Sequence, residues 1–158
     1  MAFFRYNPSA WPKRARVLVL AAVGFAIACY LTSYQLGTVS HVWDPFFDDG
    51  SDRILRSTLS MPLPVPDALL GALGYLADLV LTGIGGSDRW RTHPWILLLL
   101  GITVTVMAVV SAILVFLQLV VLRSLCTLCL TSAVLSFVIF PLAWEEVAVS
   151  LECLGLEG

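Results

Sequence analysis

Four apolar stretches separated by polar segments organise this chain of 158 residues. Val17 to Leu36 carries no charged side chain over twenty positions. At 1.5 Å per residue such a helix covers about 30 Å, the thickness of a bilayer's hydrocarbon core. Gly37 to Pro66 is polar, with Asp44, Asp48, Asp49, Asp52, Arg53 and Arg56, and reads as a wet connection. Within it, Ile54, Leu55 and Leu59 fall at helical spacing and predict a short amphipathic helix over 51–59. Pro62, Pro64 and Pro66 then break helix, and Asp67 is placed to cap the next one.

The second long helix is predicted over 67–84. Its small residues Ala68, Gly71, Ala72, Gly74 and Ala77 suit close packing between membrane helices. Asp78 lies within it and is costly in lipid, so it should face protein or water. Residues 85–91 read as a turn. The third helix is predicted over 95–122 and the fourth over 125–144, with only Arg123 and Ser124 between them. An acidic tail, 145–158, should lie helically along the surface. The expected fold is therefore all-α: an integral membrane four-helix bundle with a long outer loop between helices one and two. Its parts are a basic amino-terminal segment (1–16), the membrane domain (17–144) and the tail. No repeat or soluble second domain is evident in the sequence.

Composition agrees. Hydrophobic residues make up 59% of the chain and charged residues 13%, with a mean hydropathy of +0.91. A soluble domain carries nearer a quarter charged. The partners this implies begin with membrane lipid, and no nucleic acid is expected. No small-residue cleavage site closes the first apolar stretch, so it reads as a retained helix. Charge then orients the helices. The side holding the amino terminus carries Arg5, Lys13, Arg14, Arg16, Arg89 and Arg91, against Arg53, Arg56 and Arg123 on the other. Basic residues favour the cytoplasm, so both termini are expected there, in a cell inner (plasma) membrane. Arg89, Trp90, Arg91 and His93 read as an anchor on that side.

The reactive chemistry lies in the cysteines. Four are present, at 29, 126, 129 and 153, and only Cys126 and Cys129 have a motif spacing. Residues i and i+3 share a helix face, so the two sulfurs can meet each other and a common partner. The topology puts them near the outer face, which in a bacterium is oxidising. A structural disulfide is the plain alternative. A metal site is not expected, because no second Cys or His pair is near in sequence to complete one. Cys29 reads as a packing residue and Cys153 as a free thiol. Trp43, Phe46 and Phe47 suit either a lid or an interfacial belt.

The ordered set of features resembles the vitamin K epoxide reductase family. Its carriers are the 51–57 segment Ser-Asp-Arg-Ile-Leu-Arg-Ser, the entry to helix two (Leu63-Pro64-Val65-Pro66, then 70–76), and Cys126-Thr127-Leu128-Cys129-Leu130-Thr131-Ser132-Ala133. The resemblance covers most of residues 17–144. It implies a membrane thiol oxidoreductase that passes electrons from an external dithiol to a quinone, menaquinone or ubiquinone. By the same resemblance Cys129 is the quinone-proximal sulfur and Cys126 the sulfur that exchanges with the dithiol. Asp67, Ala133, Phe46 and Phe47 take the quinone-side positions. Arg123 stands just outside the pair and would favour a thiolate.

Two departures follow. The family usually carries a second cysteine pair in the outer loop as an electron relay. Here the later position is Ser51, and 41–50 holds no cysteine. A tyrosine found in some relatives four residues after the second cysteine is replaced by Ala133, and an asparagine of helix two by Asp67. A single pair would then take electrons directly from a separate thioredoxin-like protein. The alternative is a non-catalytic accessory subunit of a larger membrane complex, with partner subunits and a retained scaffold.

Overall fold

A computed structural model of the chain describes residues 7, 9–47, 50–56 and 66–156, with backbone alone at Ser51 and Leu156. Arg5, Asp48, Asp49, Leu59, Pro62, Pro64 and Gly158, on which some of the expectations above fall, lie outside the described residues. So does the side chain of Ser51. Among the described residues the protein is all-helical, with no strand.

Helix α1 spans Trp11–Gln35 and begins six residues before the expected Val17. Pro12 stands in its first turn, where the missing N–H costs nothing. Lys13, Arg14 and Arg16, expected before the helix, therefore lie within it. Lys13 is paired with Glu145 at 3.2 Å, and Arg14 is buried. The short helix α2, Gly50–Leu55, overlaps the helix expected over 51–59. Helix α3 runs Asp67–Gly83, and α4, Arg89–Thr92, forms where only a turn was read. Helix α5 spans Pro94–Leu117 and passes into a π-helical segment, Gln118–Leu122. Arg123 then takes a left-handed conformation (φ 48°) and turns the chain toward the cysteines.

Helix α6 runs from Thr127 to Leu156, through Pro141 and through the expected tail. The tail is thus the last part of one long helix, because its residues are needed inside the protein. Glu146, Val147 and Ser150 are buried. The Ser150 hydroxyl donates to the Trp90 carbonyl at 3.2 Å.

Helix α1 packs against α3 and α6, and α5 packs against α6 and α3. The main core gathers Val17, Ala21, Tyr75, Leu97, Leu100 and Ile139. Gly24 makes the approach of α1 to α3 possible, since a Cβ there would sit 2.4 Å from the Tyr75 ring. The Tyr75 hydroxyl reaches α6, donating to the Ser132 carbonyl at 2.6 Å and lying 2.9 Å from Ser136 Oγ.

Among the described residues three helices, Trp11–Gln35, Pro94–Leu122 and Thr127–Gly155, are long and apolar enough to cross a membrane. Their outward faces are apolar as well. On α5, Leu98, Ile102, Val106, Val109, Ile113 and Phe116 are all exposed. A continuous apolar face of this kind is unfavourable in water and matched to lipid.

The end where α1 begins and α3 finishes is held by buried charge. Arg14 donates to the carbonyls of Thr82, Gly83, Ile84 and Gly85, the last turn of α3 and the chain just beyond it. Those carbonyls have no partner within the helix. Arg89, read above as part of a surface anchor, is also buried. It forms a two-pronged bond to Glu146, Nε to Oε1 at 2.7 Å and Nη2 to Oε2 at 2.6 Å. Ser9 donates to the same carboxylate.

Candidate functional site

The cysteines lie at the opposite end, where α1 finishes, α3 begins and α5 turns into α6. Cys126 precedes α6 and caps it. Its carbonyl accepts from Leu130 N at 2.9 Å, and its Sγ accepts from Cys129 N at 3.2 Å. A sulfur so placed meets an otherwise orphaned N–H and the positive end of the helix dipole, both of which favour negative charge. Cys129 lies one turn on, three residues along the same face. Both sulfurs are free thiols. Cys126 has 0% exposure, while Cys129 is half-buried.

Cys129 forms part of the wall of a cavity of about 510 Å³. Leu31, Leu55, Val110 and Leu114 contribute to an apolar lining, and the polar side chains on it are Asp67, Ser111, Gln118 and Ser132. Ala133 lines it too, so Asp67, Cys129 and Ala133, separated by up to 66 residues in sequence, share one space. Asp67 stands at the first position of α3, with Pro66 in the capping place. Its Oδ1 accepts from Ala68 N at 2.8 Å and from Gln35 Nε2 at 2.5 Å.

Phe46 and Phe47 are not brought to the cavity. Their N–H groups donate to Asp44 Oδ1 at 3.2 and 3.0 Å, and this turn leaves Phe46 77% exposed. Trp43 is exposed beside them. The aromatic cluster therefore faces outward in this structure, as an interfacial belt would.

Asp44 is the residue that sequence reasoning missed. Besides holding its own turn, it accepts from the Thr127 hydroxyl, and from Thr127 N at 3.4 Å. The loop is thereby tied to the first residue of α6, next to Cys126. Helix α2 closes over the same place. Gly50 lies so near that a Cβ on it would sit 2.2 Å from the Leu125 carbonyl oxygen. The loop is also fastened to α1, by Trp43 N to the Tyr30 hydroxyl at 3.2 Å and by Arg56 Nε to the Tyr34 hydroxyl at 2.8 Å.

The other cysteines stay apart. Cys29 packs against the main core. Cys153 lies 24 residues beyond Cys129 on α6, about 36 Å at the helical rise. Among the described residues no group of three His, Cys, Asp or Glu side chains is arranged to hold a metal ion.

A cavity of several hundred cubic ångströms, mostly apolar with a few polar groups and a thiol in its wall, suits a small organic ligand. The model of the vitamin K epoxide reductase family matches residues 15–144. No curated protein matches the chain.

Proposed function

The chain belongs to the vitamin K epoxide reductase family, and from that premise we propose that it is a quinone-linked thiol oxidoreductase working with one redox pair, Cys126 and Cys129. The family is one of membrane thiol oxidoreductases coupled to quinones, and the three apolar helices agree with a membrane protein. We place α1, α3, α5 and α6 across the inner (plasma) membrane as a four-helix bundle. Both termini are then cytoplasmic and the cysteine end faces outward. The observation that carries the reading is the placement of Cys129. It shares an apolar cavity with Asp67 and Ala133 while the Cys126 sulfur caps the same helix.

In the oxidised pair the two sulfurs are joined. A thiolate of an external dithiol protein of thioredoxin type attacks Cys126, the Cys126–Cys129 bond breaks, and Cys129 departs as a thiolate. The partner's second thiol then attacks the mixed disulfide and releases Cys126. The partner leaves as a disulfide, having given two electrons and two protons to the pair. In the return half the Cys126–Cys129 dithiol, through Cys129 at the cavity wall, passes two electrons and two protons onward, and the disulfide reforms. A quinone bound in the cavity, menaquinone or ubiquinone, supplies the acceptor. The apolar lining excludes water from this transfer. Since Cys126 has no exposed surface, Asp44 and helix α2 must move away from the start of α6 for the first attack.

The test uses purified protein in lipid nanodiscs with dithiothreitol and a short-chain ubiquinone. Wild type should oxidise the dithiol, and Cys129→Ser and Cys126→Ser should each fall to the uncatalysed rate. Well-folded wild type that gives no acceleration would overturn the reading.

A further inference from the structure

One side chain of the cavity is left unexplained by the cysteine chemistry. Gln118 is 5% exposed, lines the cavity, and its Oε1 has no hydrogen-bond partner among the described residues. A buried amide oxygen left unbonded is unfavourable. Two of the other three polar side chains of the lining already have partners. Asp67 is engaged with Gln35 and the Ala68 N–H, and Ser132 lies 3.0 Å from the Tyr75 hydroxyl.

The backbone singles out the same residue. Gln118 opens the π-helical segment that ends α5, and its carbonyl accepts from Ser124 N at 3.2 Å and from Arg123 N. The main chain of Gln118 therefore holds the turn into Cys126. Its carboxamide is not used for that purpose. Wide turns of this type are frequent at functional sites.

We infer that the Gln118 carboxamide hydrogen-bonds a ring oxygen of the quinone headgroup and serves both of its redox forms. The inference rests on the quinone reading above. A quinone offers carbonyl oxygens, which need a donor, and its quinol offers hydroxyls, which need an acceptor. A carboxamide has both, and a half-turn of its terminal bond exchanges them. An ionised carboxylate such as Asp67 can only accept. Gln118 thus keeps a bond to the ring oxygen before and after two electrons and two protons have arrived from the cysteines.

The full chain in nanodiscs, with short-chain ubiquinone as the probe, tests this in three readouts. These are the dissociation constant by equilibrium dialysis, the ring carbonyl stretch by infrared difference spectroscopy, and the thermal midpoint without quinone. Gln118→Met keeps length and removes the amide. It should weaken binding roughly five- to tenfold, the worth of one neutral hydrogen bond. The carbonyl stretch should move to higher frequency, and the quinone-free midpoint should hold or rise because the orphaned oxygen is gone. Should Gln118→Met fail to fold, Gln118→Asn retains the amide with a shorter reach and should give the same loss. Unchanged affinity and an unchanged carbonyl stretch would overturn the role of Gln118 and leave the quinone reading standing. A lowered midpoint with intact binding would make Gln118 structural. Wild type that binds no ubiquinone would remove both readings together.

Discussion

The Cys126 sulfur accepts the Cys129 N–H at 3.2 Å, and Thr127 between them is bonded to Asp44 through both its hydroxyl and its N–H. The pair is thus held from two directions, by its own helix and by a carboxylate from the loop. Asp44→Ala removes the second. Loss of a charge-assisted bond at a helix start costs about 1–2 kcal/mol. The loop should then open more often, and alkylation of Cys126 by a small maleimide should speed up about tenfold. Equal rates in variant and wild type would show that Asp44 does not close the site. The spacing of Cys126 and Cys129 was legible because their relation is local. Asp44 was not, since its contact with Thr127 joins residues 83 apart in the chain. Gln118 gave no signal either. A glutamine near the end of an apolar run reads as a polar end, and only the π-helical segment places it in the cavity.

At the level of the elements, α2 and the turn before α6 meet without room for a side chain, since a Cβ on Gly50 would overlap the Leu125 oxygen. Gly50→Ala should push α2 away at a cost of about 1–3 kcal/mol, the usual range for overpacking. Cleavage by an added protease should rise within 42–47 and 50–56, with α1, α5 and α6 remaining intact. Protection equal to wild type would contradict the close seating of α2. The long helices were readable from hydropathy, because an apolar run long enough to span lipid has few other uses. Their ends were less so. α1 starts at Trp11 because Pro12 is a good first-turn residue and because Arg14 finds the carbonyls at the end of α3. α6 continues past Trp144 because Glu146 has a buried partner. Both extensions depend on contacts with distant residues.

Across the whole molecule the two ends are built differently. One holds the thiols under a loop, and the other holds Arg89 and Glu146 as a buried pair with 0% and 7% side-chain exposure. The charge count used Arg89 to orient the chain, and the structure finds it buried. Glu146→Ala would leave a buried guanidinium with no counter-charge, which costs about 3–5 kcal/mol. The thermal midpoint in detergent should drop sharply, and Arg89→Met combined with Glu146→Leu should recover most of it. A single variant as stable as wild type would mean that the pair contributes nothing.

The redox assignment joins the two cysteines and the cavity in one stoichiometry, which a single turnover without any dithiol reads out. Fully reduced protein, mixed anaerobically with a limiting amount of short-chain ubiquinone, should yield one quinol for each Cys126–Cys129 disulfide found by alkylation and mass analysis. Cys29 and Cys153 should stay free. Quinone left oxidised by folded protein, or a disulfide that includes Cys29 or Cys153, would contradict it.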